Sequence, residues 1–281
     1  MIAMANEGLS VNKAGALAGV AHSSLYYQPK PRFVAPKPEA VALVEHWCMA
    51  KPSYGYRRIT AMIRRQGLRV NHKRVHRIMR LNGWLKPFHK RYRKRTGKTL
   101  PQPTASNEFW QADMTKIWCG VDGWCYLFNI IDCFDKSWVG YNFSTTCATA
   151  DNEPSLTMAL QARAPKTMQI PGLVFQSDNG GQYTSNRFKQ FLKLAGFIHE
   201  TIRKKTPEDN AYIESFHATL KTEYIWPHDF ENFQHASQII QDAFNDYNNE
   251  RIHSAIDYLT PTEKYRQSMQ NKLKEVSVKL C

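Results

Sequence analysis

Between residues 107 and 202 the chain follows an order of elements that few folds accommodate. Three apolar, aromatic-rich stretches come close together: "FWQADMTKIW" (109–118), "CYLFNIIDCF" (125–134) and "SWVGYNFSTT" (137–146). Each has the length and composition of a strand, and the Asp-Gly of "VDGW" suits a hairpin between the first two. Single strands then alternate with helices. Asp151 can cap a helix through about Arg163, and "GLVF" (172–175) reads as a buried strand. "SNRFKQFLKLAG" reads as a helix ended by Gly196, and "FIHETI" as a short strand. Three neighbouring strands followed by helix–strand alternation predict an α/β layer built on a mixed sheet flanked by helices. Beyond 206 the pattern is helical. Phe233, Ala236, Ile239, Ile240, Ala243, Phe244 and Tyr247 form one apolar stripe, and "TPTE" (260–263) is a capping box with proline at the first helical position.

Charge divides the chain differently. Residues 51–100 hold 17 of the 38 Lys and Arg and no Asp or Glu, within a net charge of +14. Such a segment repels itself unless a polyanion is near, and nucleic acid is the natural partner. Residues 40–87 supply the helices: "EAVALVEHWCM", then "RRITAMIRRQG" ended by Gly67, then "HKRVHRIMRLNG" capped by Asn71. Val75, Ile78 and Met79 share one face of the last. Lys73, Arg74, Arg77 and Arg80 lie off it, with Arg57 and Arg58 on the preceding helix, as a helix-turn-helix lying on DNA requires. Residues 1–35 give a weaker outline of the same kind. There Ser10 caps a helix whose Leu17 and Val20 face inward, followed by "AHSSLYY". Residues 88–106 read as a basic, proline-containing linker, 107–266 as the sheet domain and 267–281 as a C-terminal tail.

No run of about 18 apolar residues is present, so no membrane-spanning helix is expected. The opening "MIAMANEGLSVNKAG" lacks a basic region ahead of an apolar block, so no secretory signal is expected either. Six cysteines at 48, 119, 125, 133, 147 and 281 form no CxxC pair and read as reduced thiols in a cytoplasmic protein. A zinc site from Cys48, His72 and His76 is set aside.

Three acids stand out against their surroundings. Asp113 sits mid-strand in "FWQADMTKIW". Asp178 ends a buried strand in "QSDNGGQYTS", where Gly180 and its neighbour let the backbone swing away. Glu214 lies about one turn into a helix that Asp209 or Asn210 caps. Carboxylates buried together need cations, and hard oxygen donors favour Mg²⁺. Two such ions serve in-line phosphoryl transfer. Lys221, seven residues after Glu214 on the same helix face, is suited to hold a phosphate. Asp132 is a rival ligand, and Glu208, Asp209 and Glu223 are rival third acids.

"WQADMT", "QSDNGGQYTS" and "PEDNAYIESFHATLKTE" resemble the three acidic motifs of DDE transposases and retroviral-type integrases, with 35 residues between Asp178 and Glu214. "YGYRRITAMIRRQGLRVNHKRVHRIMRLNGW" and "YNNERIHSAIDYLTPTEKY" resemble the helix-turn-helix and terminal segments of the second-reading-frame product of bacterial insertion sequences. The resemblance covers about residues 40–266. It implies an RNase H-like fold with Asp113, Asp178 and Glu214 as catalytic ligands of two Mg²⁺, replaceable by Mn²⁺. It also implies Lys221 on DNA, and Asn179 and Asn210 as supporting residues. The implied activity is cleavage at element ends and strand transfer into target DNA, by a homo-oligomer on DNA in the bacterial cytoplasm and nucleoid. An upstream-frame partner or fusion is a further implied partner. Gln176, where relatives commonly carry His, and His217, where they carry an aromatic residue, depart from the pattern. The rival readings are a non-catalytic DNA-binding regulator and a structure-selective nuclease on the same fold.

Overall fold

The computed structural model describes residues 10–20, 35–86, 101–203 and 207–279. The chain forms two compact units, Met1–Leu43 and Val44–Cys281. In the first, helix α1 (Val11–Leu17) ends before Gly19, whose φ of +63° reverses the chain. Leu17, expected to face inward, is instead 71% exposed, because it sits in the last turn of a seven-residue helix and no described element covers it. The expected second helix, "AHSSLYY", lies outside the described residues.

Helix α2 (Pro38–Ala50) spans the division between the two units, and its Val44, in the second, is buried. Helices α3 (Tyr56–Arg65) and α4 (His72–Leu81) pack on each other. Gly67 (φ +83°) closes the first of these, and the Asn71 side chain caps the second by accepting from the Lys73 N–H at 2.9 Å. Ile59, Ile63, Val75, Ile78 and Met79 are completely buried, so the apolar stripe read for these helices is the one that packs.

The sheet comprises β1 (Phe109–Trp118), β2 (Trp124–Asp132), β3 (Trp138–Ser144), β4 (Val174–Ser177) and β5 (Ile198–Thr201). Its order is β3-β2-β1-β4-β5. The first three strands pair antiparallel, and β4 joins β1 in parallel and carries β5 in parallel. Helices α5 (Glu153–Arg163), α6 (Gly181–Thr184) and α7 (Asn186–Leu194) cover one face, through a core of Trp110, Leu156, Phe175, Phe188 and Leu192. The other face is covered by α8 (Ala211–Leu220) and α9 (Phe233–Asn249), through Phe109, Leu127, Trp138, Phe216 and Tyr247. A mixed sheet of this order, sandwiched by helices, is the RNase H-like architecture.

Three local readings change. The β1–β2 hairpin turns through residues 119–123 with a 3-10 turn at Gly120–Asp122, and Gly123 supplies the positive φ of +69°. Asp151 sits in a 3-10 turn ahead of α5, where its carboxylate accepts from the Ala148 N–H at 2.8 Å and the Thr146 hydroxyl at 2.6 Å; it closes the preceding loop and does not cap the helix. Helix α10 (Pro261–Lys279) passes residue 266 unbroken, so the segment read as a tail is helical. Its start is the predicted capping box, with Thr260 and Glu263 exchanging backbone-to-side-chain bonds of 2.8 and 3.2 Å. Among the described residues no helix is long and apolar enough to cross a membrane.

Ion pairs fasten the basic helices to the sheet domain. Glu223, in the π-helical turn Lys221–Ile225, accepts a fork of bonds from Arg251 at 2.7 and 2.8 Å and a third from Arg58 at 3.2 Å. Arg251 is 2% exposed. The Tyr54 hydroxyl accepts the Ile252 N–H at 3.1 Å, and Lys51 pairs with Asp246. Removing one member of a buried ion group strands the others. Glu223→Gln is expected to lower stability by about 3–5 kcal/mol in urea unfolding. Breaking the exposed Arg187–Glu153 pair with Arg187→Ala should leave the midpoint unchanged.

Candidate active site

Asp113 is placed by β1. Odd-numbered residues of that strand face α8, so Gln111 and Asp113 point to the same side. The offset that pairs Gln111 with Gln176 across the parallel strands is also the offset between Asp113 and Asp178. Asp178 follows the last residue of β4, and its Oδ1 accepts the Gly180 N–H at 2.9 Å, folding the carboxylate over an Asx turn. Gly180 itself has φ −62° and ψ 147°, which any residue reaches, so the expected glycine swing is not needed; a Cβ there would meet the Gln182 side chain at 2.5 Å. Glu214 lies in the first turn of α8.

Burial, together with the nearby charges of Asp178 and Glu214, pushes the Asp113 carboxyl up to about 7, against a bond from the Met114 N–H at 2.8 Å and the more distant pull of Lys221. Asp178 and Glu214 therefore both lie within electrostatic reach of Asp113. Among the described residues, no three His, Cys, Asp or Glu side chains converge into a closed ligand set. The donor set nevertheless fits a hard cation. Its oxygens are the hard donors such an ion prefers, and burial, reinforced by the two neighbouring acids, makes Asp113 resist ionisation, which a divalent ion would relieve.

His217, three residues beyond Glu214, is buried among these groups. Burial and Lys221 lower it to about 3, so its ring is neutral. Asn129, the cross-strand partner of Asp113, must turn Nδ2 toward the Leu127 carbonyl (3.1 Å), and the same nitrogen meets His217 Nε2 at 3.1 Å. Nε2 is thus the acceptor, and the ring proton sits on Nδ1, 3.7 Å from Asp113 Oδ2. Tyr183 is also missed by sequence reasoning. Its hydroxyl is buried without a partner, and Asp113 and Asp178 help raise it well above the ordinary phenol range. Only its place in "DNGGQYTS" signalled it.

The rival acids have other partners. Asp132 is fully buried and accepts from the N–H groups of Asn107 (2.7 Å), Phe134 (2.9 Å) and Asp135 (3.3 Å) and from the Trp110 indole (3.1 Å). Asp209 forks onto Arg203 at 2.7 and 2.9 Å, and Glu223 holds the ion group above. Glu208 lies outside the described side chains. Asn179 donates to the Ile202 carbonyl at 2.8 Å and ties the loop after β4 to the end of β5. Asn210 stands at the N-cap of α8 but makes no side-chain cap bond, and its Oδ1 is buried without a partner.

Lys221 begins the π-helical turn after α8 and acts electrostatically on both Asp113 and His217. Of the basic residues on α3 and α4, Arg57, Lys73 and Arg80 are exposed and Arg74 and Arg77 half-buried. Arg58 is turned inward onto Glu223, so its charge holds the helices in place instead of facing solvent. His72 and His76 pack against the Tyr56 ring.

A carboxyl near 7 in the folded chain and near 3.8 in the unfolded one binds its proton more tightly when folded. Stability from this group is therefore lost as pH rises from about 4 to about 7 and stays lost above that. In metal-free buffer, Asp113→Asn should raise the thermal midpoint at pH 8 and leave it unchanged at pH 4; the pH 8 gain is bounded by about 4 kcal/mol.

The chain matches the integrase core domain family over residues 103–207 and again over 195–261, and an HTH-like domain family over residues 39–92. It is 35% identical over 230 residues to the transposase for insertion sequence element IS904 of Lactococcus lactis, covering 76% of this chain and 89% of that protein. It is 30% identical over 267 residues to the putative transposase InsK for insertion sequence element IS150 of Escherichia coli, covering 89% and 92% respectively. Among solved structures it is similar to a chain of the simian T-cell lymphotropic virus intasome in complex with PP2A regulatory subunit B56 gamma, at 16% identity and a TM-score of 0.49, over 79% of this chain and 74% of that one. The chain belongs to the insertion-sequence transposases that carry an integrase core domain.

Proposed function

We propose that this chain cuts DNA at the ends of a mobile element and joins them to target DNA, with Asp113, Asp178 and Glu214 as its catalytic acids. The observation that carries this reading is the β1–β4 register, which sets Asp113 and Asp178 at matching positions on neighbouring strands, with Asp178 and Glu214 both acting on the buried Asp113 carboxyl. Glu214 joins them from the first turn of α8. They would hold two Mg²⁺, for which Mn²⁺ substitutes, and a bound pair supplies activation of a water or 3′-hydroxyl and neutralisation of the leaving 3′-oxygen.

The chain's own residues do the rest. Lys221 offers its charge to a DNA phosphate beside the acids. The neutral His217 keeps a ring proton directed at Asp113 and adds no positive charge that would compete with a cation. Residues 40–87 form the DNA-binding region, with Arg57, Lys73, Arg74, Arg77 and Arg80 meeting the duplex and Arg58 holding the region to the core. Residues 107–266 form the catalytic core. Joining two ends calls for at least two copies on DNA, and an upstream-frame partner or fusion would supply any further end recognition; the setting is the bacterial cytoplasm.

Incubation of purified protein with supercoiled plasmid and Mg²⁺ tests this directly. Wild type should give nicked and joined products, and Asp178→Asn or Glu214→Gln should reduce both by at least about 100-fold while DNA retention is kept. Cleavage without joining would leave a nuclease. Unchanged products in both variants would overturn the assignment of the acids, and binding without any products would favour a regulator. Lys73→Ala and Arg80→Ala should weaken retention on all sequences alike and each reduce the salt slope by about 1.

A further inference from the structure

Gln111 lies on β1 two residues before Asp113 and is wholly buried. Its amide bonds to two other elements of the site. Nε2 donates to Oε1 of Gln176 at 2.8 Å and to the carbonyl of Asp209 at 2.8 Å, and Oε1 accepts the N–H of Ile213 at 3.0 Å. Gln176 sits on β4 two residues before Asp178, and Ile213 immediately precedes Glu214. Each element that carries one of the three acids is therefore fastened to the same amide, one or two residues from its acid.

The orientation of that amide is forced. The Ile213 N–H can only donate and the Asp209 carbonyl can only accept, so Oε1 and Nε2 cannot exchange places. Both Nε2 hydrogens and the oxygen are used. The bond to Ile213 also replaces a missing cap, because Asn210 makes none and Ile213 is the third residue of α8, the usual target of an N-cap side chain.

We propose that Gln111 is the positioning residue that sets the mutual geometry of Asp113, Asp178 and Glu214, a role that rests on the reading of those acids as a metal-holding set. Like charges drive the three carboxylates apart, and the shared amide resists that where their backbones begin. In this scheme Gln176 is the link to Asp178 and needs only a neutral acceptor at its tip. An imidazole nitrogen can serve, so His at 176 preserves the device and Leu breaks it.

The test is Mn²⁺ binding by the full chain, read from loss of the free-ion electron paramagnetic resonance signal and checked by thermal unfolding. The Mg²⁺ concentration for half-maximal plasmid cleavage is read alongside. Asp113→Asn should remove the bound Mn²⁺. Gln111→Met, of similar length but unable to make these bonds, should bind Mn²⁺ about 10-fold more weakly or worse and shift the Mg²⁺ requirement upward by a similar factor. Gln176→Leu should follow it, and Gln176→His should stay within about twofold of wild type, since its ring accepts the same bond. Wild-type Mn²⁺ affinity in Gln111→Met, with none in Asp113→Asn, would overturn the proposal. If Gln111→Met does not fold, the Gln176 pair decides. His restoring what Leu loses supports the proposal, and equal affinity in the two overturns it. Wild-type Mn²⁺ binding by Asp113→Asn would bring down the metal-holding reading itself, and the positioning role with it.

Discussion

The parallel pairing of β1 with β4 is the constraint on which the rest of the site depends. It joins the antiparallel half of the sheet to the parallel half, and its register sets Asp113 and Asp178 at matching positions on neighbouring strands. A slip of one residue would turn every side chain on β4 to the opposite face, sending Phe175 toward α8 and the acids' neighbours into the apolar layer beneath α5. Trp110, Phe175 and Phe197 oppose that slip, with ring centroids 5.6 and 6.0 Å apart on the far face. The apolar layer on one side of the sheet thus fixes the polar geometry on the other.

A second dependence runs from the basic helices to the core. A segment with 17 cations and no acid among residues 51–100 has no internal partner for its charges. The acids that receive some of them lie far along the chain. Glu223 takes Arg58, Glu263 takes Arg65 and Asp246 takes Lys51. These contacts sort the cations by task. Arg58 holds the helices against the core, whereas Arg57, Lys73 and Arg80 stay exposed for a partner. Placing the helices on the core also fixes how far they stand from Asp113 and its neighbouring acids.

Features governed by local chemistry were readable from the chain. Asn71 and the Thr260–Glu263 box cap their helices as their residue types and spacing require, and β1 spans the ten residues its composition marks. Asp113 stood out as a charge within an apolar strand, Asp178 as the end of a buried one, and Glu214 by its place one turn into a helix and its spacing from Asp178. Residues whose meaning depends on a distant partner were not readable. Gln111 looks like any strand polar residue until Asp209 and Ile213 arrive about a hundred positions later. Leu17 and Asp151 fit their local patterns and still behave otherwise, because one has no covering element and the other finds a nearer loop to close. Gln176 and His217 gain their sense from Gln111 and Asn129.

Asp113 and Asp132 show how two buried acids of one sheet come to differ. Both are raised by burial, to about 7 and about 6, and both were possible ligands from sequence. Asp132 receives four hydrogen bonds and lies beside Arg163, which forks onto the adjacent Asp135 at 3.1 Å. Its lone pairs are occupied, so it stabilises a strand end and has little left to offer a ligand. Asp113 receives one backbone bond, feels the charges of Asp178 and Glu214, and has the neutral His217 ring 3.7 Å away. A buried carboxylate left with so few partners is a candidate to bind a cation or substrate. The distinction rests on what each carboxylate still lacks, and burial alone would not have drawn it.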